Sequence, residues 1–339
     1  MDNVKGLTGL ANLGNTCYLN ATMQILAHTK LFNNLLDTIN KKQLKNSNKN
    51  ELIFEWDNLR QLMWDKNCTI NPQRWVSCVK EFAKCKNNGL FLSDEQNDIS
   101  EFLLFLFESF HDTLKKKVKI EVTGNVKTTQ DRLAVKCYNM LKLQYKNDYS
   151  EIFNIFYGIK YVEIKDLNDK SLSVNPDLFL FLDLNIPKKK KVSLYDCLDL
   201  YFQEEYLTGD NQYYYEKNKA KIDAKKKLNI WSFPEVLIII IQRFEINYKT
   251  QNISKNNSNI DIEIENLDLN KYVKGYNNAN NIYSLYGVCN YIGNINSGHY
   301  TATIKNNDNW YNYDDETISL LNNNNIITNK AYCLFYQKN

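Results

Sequence analysis

The hydrophobic pattern changes about halfway along the 339-residue chain, and this change restricts the fold class more than any other feature. The first half carries apolar residues at helical spacing, which predicts helices over 17–27, 51–65 and 72–85. The second half carries short runs rich in Ile, Val, Tyr and Phe, which are typical of strands. The predicted strands are 152–164, 178–185, 236–246, 282–292, 298–305, 309–314 and 331–337. Helices followed by strands predict an α+β fold.

A fourth helix is predicted from Ser93 to about Leu114. Ser93-Asp94-Glu95-Gln96 has the form of a capping box, with Ser93 as the N-cap and Gln96 three positions later. The helix carries the wholly apolar run 102–107, so we expect it to be buried. Residues 247–281 are dominated by Asn, Asp and Lys, and we interpret them as an insertion loop without a predicted element.

Composition and charge exclude several classes of protein. Hydrophobic residues make up 43% and charged residues 24% of the chain, which is the range of globular proteins. The net charge of +3 is too balanced to indicate a nucleic-acid-binding protein. The longest apolar runs, 102–107 and 236–241, are far shorter than the roughly 20 residues that span a bilayer. We therefore expect no nucleic-acid partner, no membrane segment and a monomer.

The eight cysteines are scattered, and no two have the CxxC spacing of a zinc or redox site. The stretch that follows Met1 has no apolar region of the secretory type. We therefore expect an intracellular protein, cytoplasmic and/or nuclear, whose thiols are reduced and mostly buried. The cysteines are Cys17, Cys68, Cys78, Cys85, Cys137, Cys197, Cys289 and Cys333.

Cys17 is the candidate nucleophile. Residues 9–26 read GLANLGNTCYLNATMQIL and predict a loop that turns into a helix at or beside Cys17. A thiol at a helix N-terminus faces the positive end of the helix dipole, so we expect its pKa to be lowered. Asn12 on the same loop offers an amide donor for a developing oxyanion. These local features alone favour the alternative, a buried cysteine that starts a helix behind an Asn-rich loop.

A cysteine nucleophile needs an imidazole, and the chain has three histidines. His28 lies eleven residues after Cys17 on the same predicted helix, roughly 16 Å away and out of reach. His111 lies near the end of the buried helix, where we expect it to pack or to cap. His299 opens a predicted strand and is therefore the candidate base.

A hairpin is predicted to bring a carboxylate to His299. If Asn306-Asn307 forms a two-residue turn, His299 lies directly opposite Asp314 on the next strand. A turn one residue later would pair His299 with Glu316 instead, and Asp315 is a further candidate. A carboxylate at this place would hold the imidazole tautomer and stabilise its charged form.

These segments together resemble the ubiquitin-specific proteases, a family of papain-like deubiquitinases. GLANLGNTCYLN resembles the cysteine box of the family, and EQNDISEFLLFL (95–106) resembles its second box. SGHYTA (297–302) resembles the histidine box, NWYNYDDETIS (309–319) the segment of the third catalytic residue, and AYCLFYQ (331–337) the closing strand. The order and spacing of the boxes agree from Gly6 to Gln337.

The resemblance implies one catalytic domain over 1–339, with a helical thumb at about 1–149, β fingers at 150–232 and a β palm at 233–339. The palm would contain the Asn-rich insertion at about 247–281. The resemblance also assigns roles to individual residues. The catalytic residues would be Cys17, His299 and Asp314, with Asn12 at the oxyanion position, and the substrate-binding residues would be Gln96, Asp98 and Tyr300.

Fingers of this family often bind zinc through two CxxC pairs, and this chain departs from that pattern. Tyr215 and Asn218 stand where the second pair would lie, and the first pair would fall near Asp166 and Asp169. Tyr and Asn are poor zinc ligands, so we predict zinc-free fingers and no cofactor or metal. The run Tyr213–Tyr215 is a candidate for packing that replaces the metal.

The implied activity is thiol-dependent hydrolysis of the bond after the C-terminal glycine of ubiquitin. The implied partners are ubiquitin and ubiquitinated proteins. Two alternatives stay open: a protease for another ubiquitin-like modifier, and a non-catalytic scaffold that binds ubiquitin.

Overall fold

The computed structural model describes residues 4–39, 51–93, 95–247, 251–276, 280–294, 297–322 and 325–339. The chain divides into two compact units. The first comprises Met1–Lys115, Ile240–Ile260 and Leu285–Phe335, and the second comprises Lys116–Ile239, Asp261–Ser284 and Tyr336–Asn339. This division follows contacts within the chain, and the boundaries of thumb, fingers and palm stay a prediction.

The described helices, in chain order, are α1 (Cys17–Ala27), α2 (Lys30–Thr38), α3 (Glu51–Asp65), α4 (Gln73–Cys85), α5 (Ile99–Leu114), α6 (Thr129–Asp148), α7 (Glu151–Phe156) and α8 (Leu194–Tyr201). Short 3₁₀ turns occupy Gly89–Phe91, Gly209–Asn211 and Asn270–Tyr272. The first and second predicted helices are found as α1 and α3. The third begins one residue late, because Pro72 is the N-cap and the Asn71 side chain accepts the Gln73 N–H at 3.0 Å.

The described strands, in chain order, are β1 (Gly9–Leu10), β2 (Thr69–Ile70), β3 (Gly158–Asp166), β4 (Ser171–Phe179), β5 (Phe181–Asn185), β6 (Val192–Ser193), β7 (Glu205–Leu207), β8 (Tyr213–Tyr215), β9 (Ala220–Ile222), β10 (Ala224–Ser232), β11 (Val236–Gln242), β12 (Phe244–Asn247), β13 (Asn252–Lys255), β14 (Ile260–Asp261), β15 (Leu267–Asp268), β16 (Ile282–Gly293), β17 (Gly298–Asn306), β18 (Asn309–Asp314), β19 (Thr317–Leu320) and β20 (Ala331–Lys338).

The predicted capping box at Ser93 is wrong. The helix begins at Ile99, and its N-cap is Asp98, whose Oδ1 accepts the Ser100 N–H at 2.8 Å. Gln96 cannot serve the cap because its side-chain amide is hydrogen-bonded to the backbone of Gly298. Asp94 lies outside the described residues. The helix is expected from its sequence to be buried all round, but α5 buries only one face, and Leu104 in the apolar run 102–107 is 42% exposed.

The first unit places α1 against the sheet that carries His299. Neighbouring strands in this part of the sheet run in the order β19, β18, β17, β16, β20 and β11. All eleven residues of α1 are buried, and the helix packs on β17. Gly287 on β16 lets the side chain of Ile25 approach, because a Cβ there would lie 3.2 Å from it. The helix that begins at Cys17 is therefore held beside the strand that begins next to His299.

The second unit is built around a sheet of four strands in the order β4, β3, β10 and β7. Helix α6 packs on this sheet through a cluster that includes Cys137, Tyr161 and Trp231. The strand predicted over 152–164 is wrong in its first part, where α7 forms. Its buried residues Ile152, Ile155 and Phe156 have the i, i+3, i+4 spacing that equally suits a helix.

The Asn-rich segment is more ordered than predicted. It contains β13, β14, β15 and a 3₁₀ turn, although 248–250 and 277–279 lie outside the described residues. Strand β13 pairs with β12 in a hairpin, and Phe244 lies opposite Lys255. The interpretation of 247–281 as a loop without elements is therefore wrong. The short runs of Ile between polar residues gave too weak a signal for strands of two to four residues.

All eight cysteines are described and are free thiols, and six of them are buried. The prediction that most of the thiols are buried therefore agrees with the structure. Within the described ranges, no helix is both long and apolar enough to cross a membrane.

Candidate active site

Cys17 is the first residue of α1 and is 2% exposed. The loop before it is shaped by Asn12, whose Oδ1 accepts the backbone N–H groups of Gly14 at 3.0 Å and Thr16 at 3.3 Å. Gly14 and Asn15 both have positive φ, at 94° and 55°, which Gly and Asn tolerate. The predicted transition from loop to helix at the cysteine is therefore found.

The pKa of Cys17 is raised, not lowered as predicted. Burial of the thiol is the largest cause, and the negative charge of Asp315 adds to it. Backbone N–H groups of Tyr300, Tyr18 and Cys17 itself act in the opposite direction. Desolvation therefore outweighs the helix N-terminus here. The contact from Tyr300 also shows that the thiol lies against the start of β17, next to His299.

His299 and Asp314 are hydrogen-bonded, with Nε2 and Oδ1 2.6 Å apart. The hairpin register that predicted this contact is nevertheless wrong. In the structure Asn306 pairs with Asn309 and Lys305 with Trp310, so the two-residue turn is Asn307-Asp308. Asn307 has φ 55°, a conformation that Asn tolerates. The register is therefore the alternative one, shifted by two residues from the first expectation.

Asp314 reaches His299 diagonally across the hairpin. Side chains on one face of a strand alternate with a period of two, so a shift of two residues keeps Asp314 on the His299 face. A diagonal pair has a Cβ separation of about 7–8 Å or less, which the long imidazole side chain can bridge. The side chains of His299 and Asp314 are 37% and 46% exposed, so the pair is open to a substrate.

Asp315 is engaged by asparagines rather than by the imidazole. Its Oδ2 accepts the side-chain amide of Asn12 at 2.7 Å, and its Oδ1 accepts that of Asn20, also at 2.7 Å. The residue has φ 47° in the turn between β18 and β19. The backbone N–H of Asn12 further bonds to Glu316 Oε1 at 3.0 Å. The turn 315–316 therefore fixes the loop that precedes Cys17.

Gly9 allows this loop and this turn to approach closely. A Cβ at Gly9 would lie 2.4 Å from the backbone oxygen of Glu316, a separation that no side chain permits. The backbone N–H of Leu10 donates to the Asp315 carbonyl at 2.9 Å. The Gly that opens the cysteine box is thus required where the chain meets the acidic turn.

Gln96, Asp98 and Tyr300 lie near the site. Their hydrogen bonds connect the segment at the start of α5 with strands β17 and β20. The Gly298 N–H donates to Gln96 Oε1 at 2.7 Å, and the Gln96 amide donates back to the Gly298 carbonyl. Asp98 Oδ2 accepts the hydroxyls of Tyr332 at 2.7 Å and of Tyr300 at 3.4 Å. The start of α5 is therefore tied to β17 and β20 beside His299.

The other two histidines have structural positions. His28 is half-buried, and its Nδ1 donates to the Gln24 carbonyl at 2.7 Å. Burial lowers its pKa to about 4, so this imidazole is neutral. Its Nε2 lies 3.2 Å from the hydroxyl of Tyr313. His111 lies in the last turn of α5, where a basic side chain suits the helix dipole.

One group of three potential metal ligands occurs in the described part of the chain: His299, Asp314 and Asp315, whose ligand atoms lie within 4.8 Å of one another. These atoms are already used in hydrogen bonds. Nε2 of His299 bonds to Asp314, and both oxygens of Asp315 accept amides. The geometry therefore suits proton transfer and anchoring of the loop, and it leaves the prediction of no metal in place.

Asn20 and Glu316 are the residues of this site to which the sequence assigned no such role. Asn20 lies three residues after Cys17 in α1, hence on the same side of the helix, and this spacing was the available signal. The sequence suggests Glu316 only as a partner of His299. Its contact with Asn12 joins positions 304 residues apart and has no local signature.

A helix-borne cysteine against a strand that carries an imidazole–carboxylate pair is the arrangement of a cysteine-type hydrolase. The family model described as ubiquitin carboxyl-terminal hydrolase matches residues 8–336. The chain therefore belongs to the ubiquitin carboxyl-terminal hydrolase family. This membership confirms the family resemblance predicted from the sequence boxes.

Named relatives have the same description. Ubiquitin carboxyl-terminal hydrolase Usp2 of Drosophila melanogaster is 29% identical over 98% of this chain and 35% of its own length. Ubiquitin carboxyl-terminal hydrolase 21 of Homo sapiens is 27% identical over 98% of this chain and 61% of its own length. Ubiquitin carboxyl-terminal hydrolase 2 of Gallus gallus is 29% identical over 98% of this chain and 94% of its own length. The chain thus spans about a third of the fly protein and three fifths of the human one.

Solved structures share the fold. A SAGA DUB module bound to monoubiquitin matches with a TM-score of 0.78 and 23% identity, over 100% of this chain and 70% of that one. The SAGA Ubp8/Sgf11/Sus1/Sgf73 DUB module bound to ubiquitin aldehyde matches with a TM-score of 0.76 and 24% identity, over 100% of this chain and 71% of that one. These matches confirm the predicted α+β fold class.

Proposed function

We propose that the protein is a deubiquitinase that hydrolyses the (iso)peptide bond after the C-terminal glycine of ubiquitin. Cys17 is its nucleophile, His299 its general base and acid, and Asp314 the residue that orients the imidazole. The observation that carries the proposal is the 2.6 Å bond between His299 and Asp314, on a strand whose Tyr300 N–H lies against the Cys17 thiol. Family membership supplies the substrate class.

The first step follows from the burial of the thiol. Because burial raises the pKa of Cys17, the thiol is protonated at neutral pH and needs a base. His299 removes the proton as sulfur attacks the glycine carbonyl carbon, and the imidazolium then protonates the leaving amine. The product is a thioester between Cys17 and ubiquitin. His299 next activates a water that cleaves the thioester, which frees the ubiquitin carboxylate and restores the thiol.

The oxyanion that forms on the glycine carbonyl needs hydrogen-bond donors. An asparagine amide has two N–H groups, and Asn12 uses one of them on Asp315. Its second N–H and the backbone N–H groups at the start of α1 are the donors that we assign to the oxyanion. Asp315 then acts as a positioning residue, because it holds the Asn12 amide in place.

The substrate-binding parts follow from the family. Thumb, fingers and palm at the predicted boundaries would hold the globular body of ubiquitin, with zinc-free fingers. Asp98 and Gln96 would contact the ubiquitin tail through hydrogen-bonding positions that their bonds to Tyr332 and Gly298 do not use. The DUB modules that share the fold are bound to monoubiquitin and to ubiquitin aldehyde.

Reaction with ubiquitin-propargylamide tests the proposal. We expect one covalent adduct, attached at Cys17 and identified by mass spectrometry of the tryptic peptide. Matched probes built on other ubiquitin-like modifiers should react far more slowly. Faster reaction with one of them would assign the protease to that modifier, and binding without an adduct would leave only a ubiquitin-binding scaffold.

The raised pKa of Cys17 predicts the pH dependence of its alkylation. A thiol whose pKa is above 9.0 gains thiolate only as the pH rises through that value. In His299→Ala, iodoacetamide should therefore modify Cys17 slowly at pH 7 and progressively faster above pH 9. In the unmodified protein the imidazole assists, so reaction should extend to lower pH. Identical profiles for the two proteins would contradict the assignment of His299 as the base.

A further inference from the structure

We infer that Lys255 is a positioning residue for His299. The inference rests on the proposed function, in which His299 is the base, and it concerns a lysine to which no role has been assigned. Lys255 is the last residue of β13, in the hairpin that the sequence did not predict. It is half-buried, and burial lowers the pKa of its ammonium group.

The Lys255 ammonium binds the backbone of the neighbouring strand. Its Nζ donates to the carbonyl of Tyr291 at 3.1 Å and to that of Gly293 at 3.0 Å. Both carbonyls lie at the end of β16, on the edge that faces away from β17. In the described part of the chain, no carboxylate lies within salt-bridge distance of this ammonium. The lysine thus supplies hydrogen bonds that a further strand would otherwise provide.

The strand end that Lys255 holds is the direct partner of His299. In the ladder between β16 and β17, Tyr291 pairs with Tyr300, Ile292 with His299, and Gly293 with Gly298. The two carbonyls bound by the lysine therefore flank the residue opposite His299. On its other side, Gly298 is held by the Gln96 amide. The backbone at His299 is fixed from both edges.

A stack of side chains adds to this arrangement. The Lys255 ammonium lies 4.8 Å from the centre of the Tyr291 ring, and that ring lies 4.8 Å from the Tyr300 ring. A cation over an aromatic face is attracted by the ring quadrupole. The Tyr291 hydroxyl in turn donates to the carbonyl of Asn294, in the connection that leads to Gly298. Lys255 therefore holds both the strand end and the start of that connection.

Removal of the ammonium should displace His299 without unfolding the protein. We expect Lys255→Met, which keeps the length of the side chain, to lower kcat for ubiquitin-AMC about tenfold and to change KM less than twofold. The reason is that the base is misaligned while the ubiquitin-binding surface stays intact. Lys255→Arg keeps a charged donor and should restore most of kcat.

Lys271→Met is the matched control. Lys271 lies in the 3₁₀ turn Asn270–Tyr272, and its ammonium is likewise over a tyrosine ring, 4.7 Å from the centre of Tyr272, but it is bound to Asp199. It should leave kcat unchanged. If Lys271→Met lost as much kcat as Lys255→Met, the effect would be general destabilisation, and the inference would be overturned.

Nuclear magnetic resonance of the histidine rings tests the inference without any substrate. The chain has three histidines, and His299→Ala identifies the signals of His299. We expect the imidazole ¹⁵N shifts of His299 to change in Lys255→Met, while those of His28 stay constant and so show that the fold is preserved. Unchanged His299 signals would overturn the role of Lys255. If the His299 signals change in Lys255→Met but the protein without substitutions is inactive, only the proposed function is refuted.

Discussion

Cys17→Ala will abolish hydrolysis of ubiquitin-AMC, with a loss of kcat of about 10⁴-fold or more. In the proposed mechanism no other group can take the place of the sulfur in the thioester, and residual rate would come only from binding and oxyanion donors. The structure adds a reason for the size of the loss. Cys17 alone among the eight thiols is both at a helix start and against the His299 strand.

Binding should survive this substitution. Alanine removes one buried sulfur, so ubiquitin affinity measured by calorimetry should change by less than about threefold, and the thermal midpoint by a few degrees. Cys78→Ala is the control, since Cys78 is also a buried helical thiol and burial raises its pKa to about 12. It should keep full activity. Hydrolysis retained by Cys17→Ala would refute the nucleophile.

The raised pKa of Cys17 changes the chemical argument that the sequence alone suggests. A helix N-terminus favours a thiolate, but the same packing that positions α1 on β17 removes the thiol from water. A sequence shows the helix start and cannot show the depth of burial. In the proposed mechanism the reaction therefore depends more strongly on His299, because a protonated thiol must pass its proton to the base during attack.

The hairpin shows which part of a site the sequence can predict. Its predicted turn was displaced by one residue, and the pairing was therefore displaced by two. The contact of His299 with Asp314 survived, because a shift of two preserves the face on which each side chain lies. The identity of the pair was thus robust, whereas its geometry, diagonal and not directly opposite, depended on Asn307 at φ 55°.

Contacts between distant segments lie beyond what local patterns predict. Gln96 looked like a helix cap, but its amide is hydrogen-bonded to Gly298, 202 residues away. Lys255 lies in a segment whose Asn-rich composition indicates a loop. Both side chains bind backbone groups at the ends of strands. Such partners become available only once the sheet has formed, and no periodicity in the sequence encodes them.

Asp314→Ala and Asp315→Ala should both lower kcat strongly, for different reasons. Without Asp314 the imidazole loses its 2.6 Å partner and its preferred tautomer, and we expect a loss of about 10²–10⁴-fold. Without Asp315 the Asn12 amide loses its anchor, so the oxyanion donor is misplaced, at a cost of about 10²–10³-fold. Asp308→Ala, at an exposed turn of the same hairpin, should have no effect.

Two measurements distinguish the role of Asp314 from that of Asp315. Since the charge of Asp315 raises the pKa of Cys17, Asp315→Ala should lower that pKa and extend alkylation of Cys17 to lower pH. If Asp315 acts through Asn12, the double variant with Asn12→Ala should lose little more activity than either single one. Asp314→Ala and Asn12→Ala should instead combine nearly multiplicatively, because one holds the base and the other the oxyanion donor. Full activity of Asp314→Ala together with inactive Asp315→Ala would make Asp315 the third member of the triad.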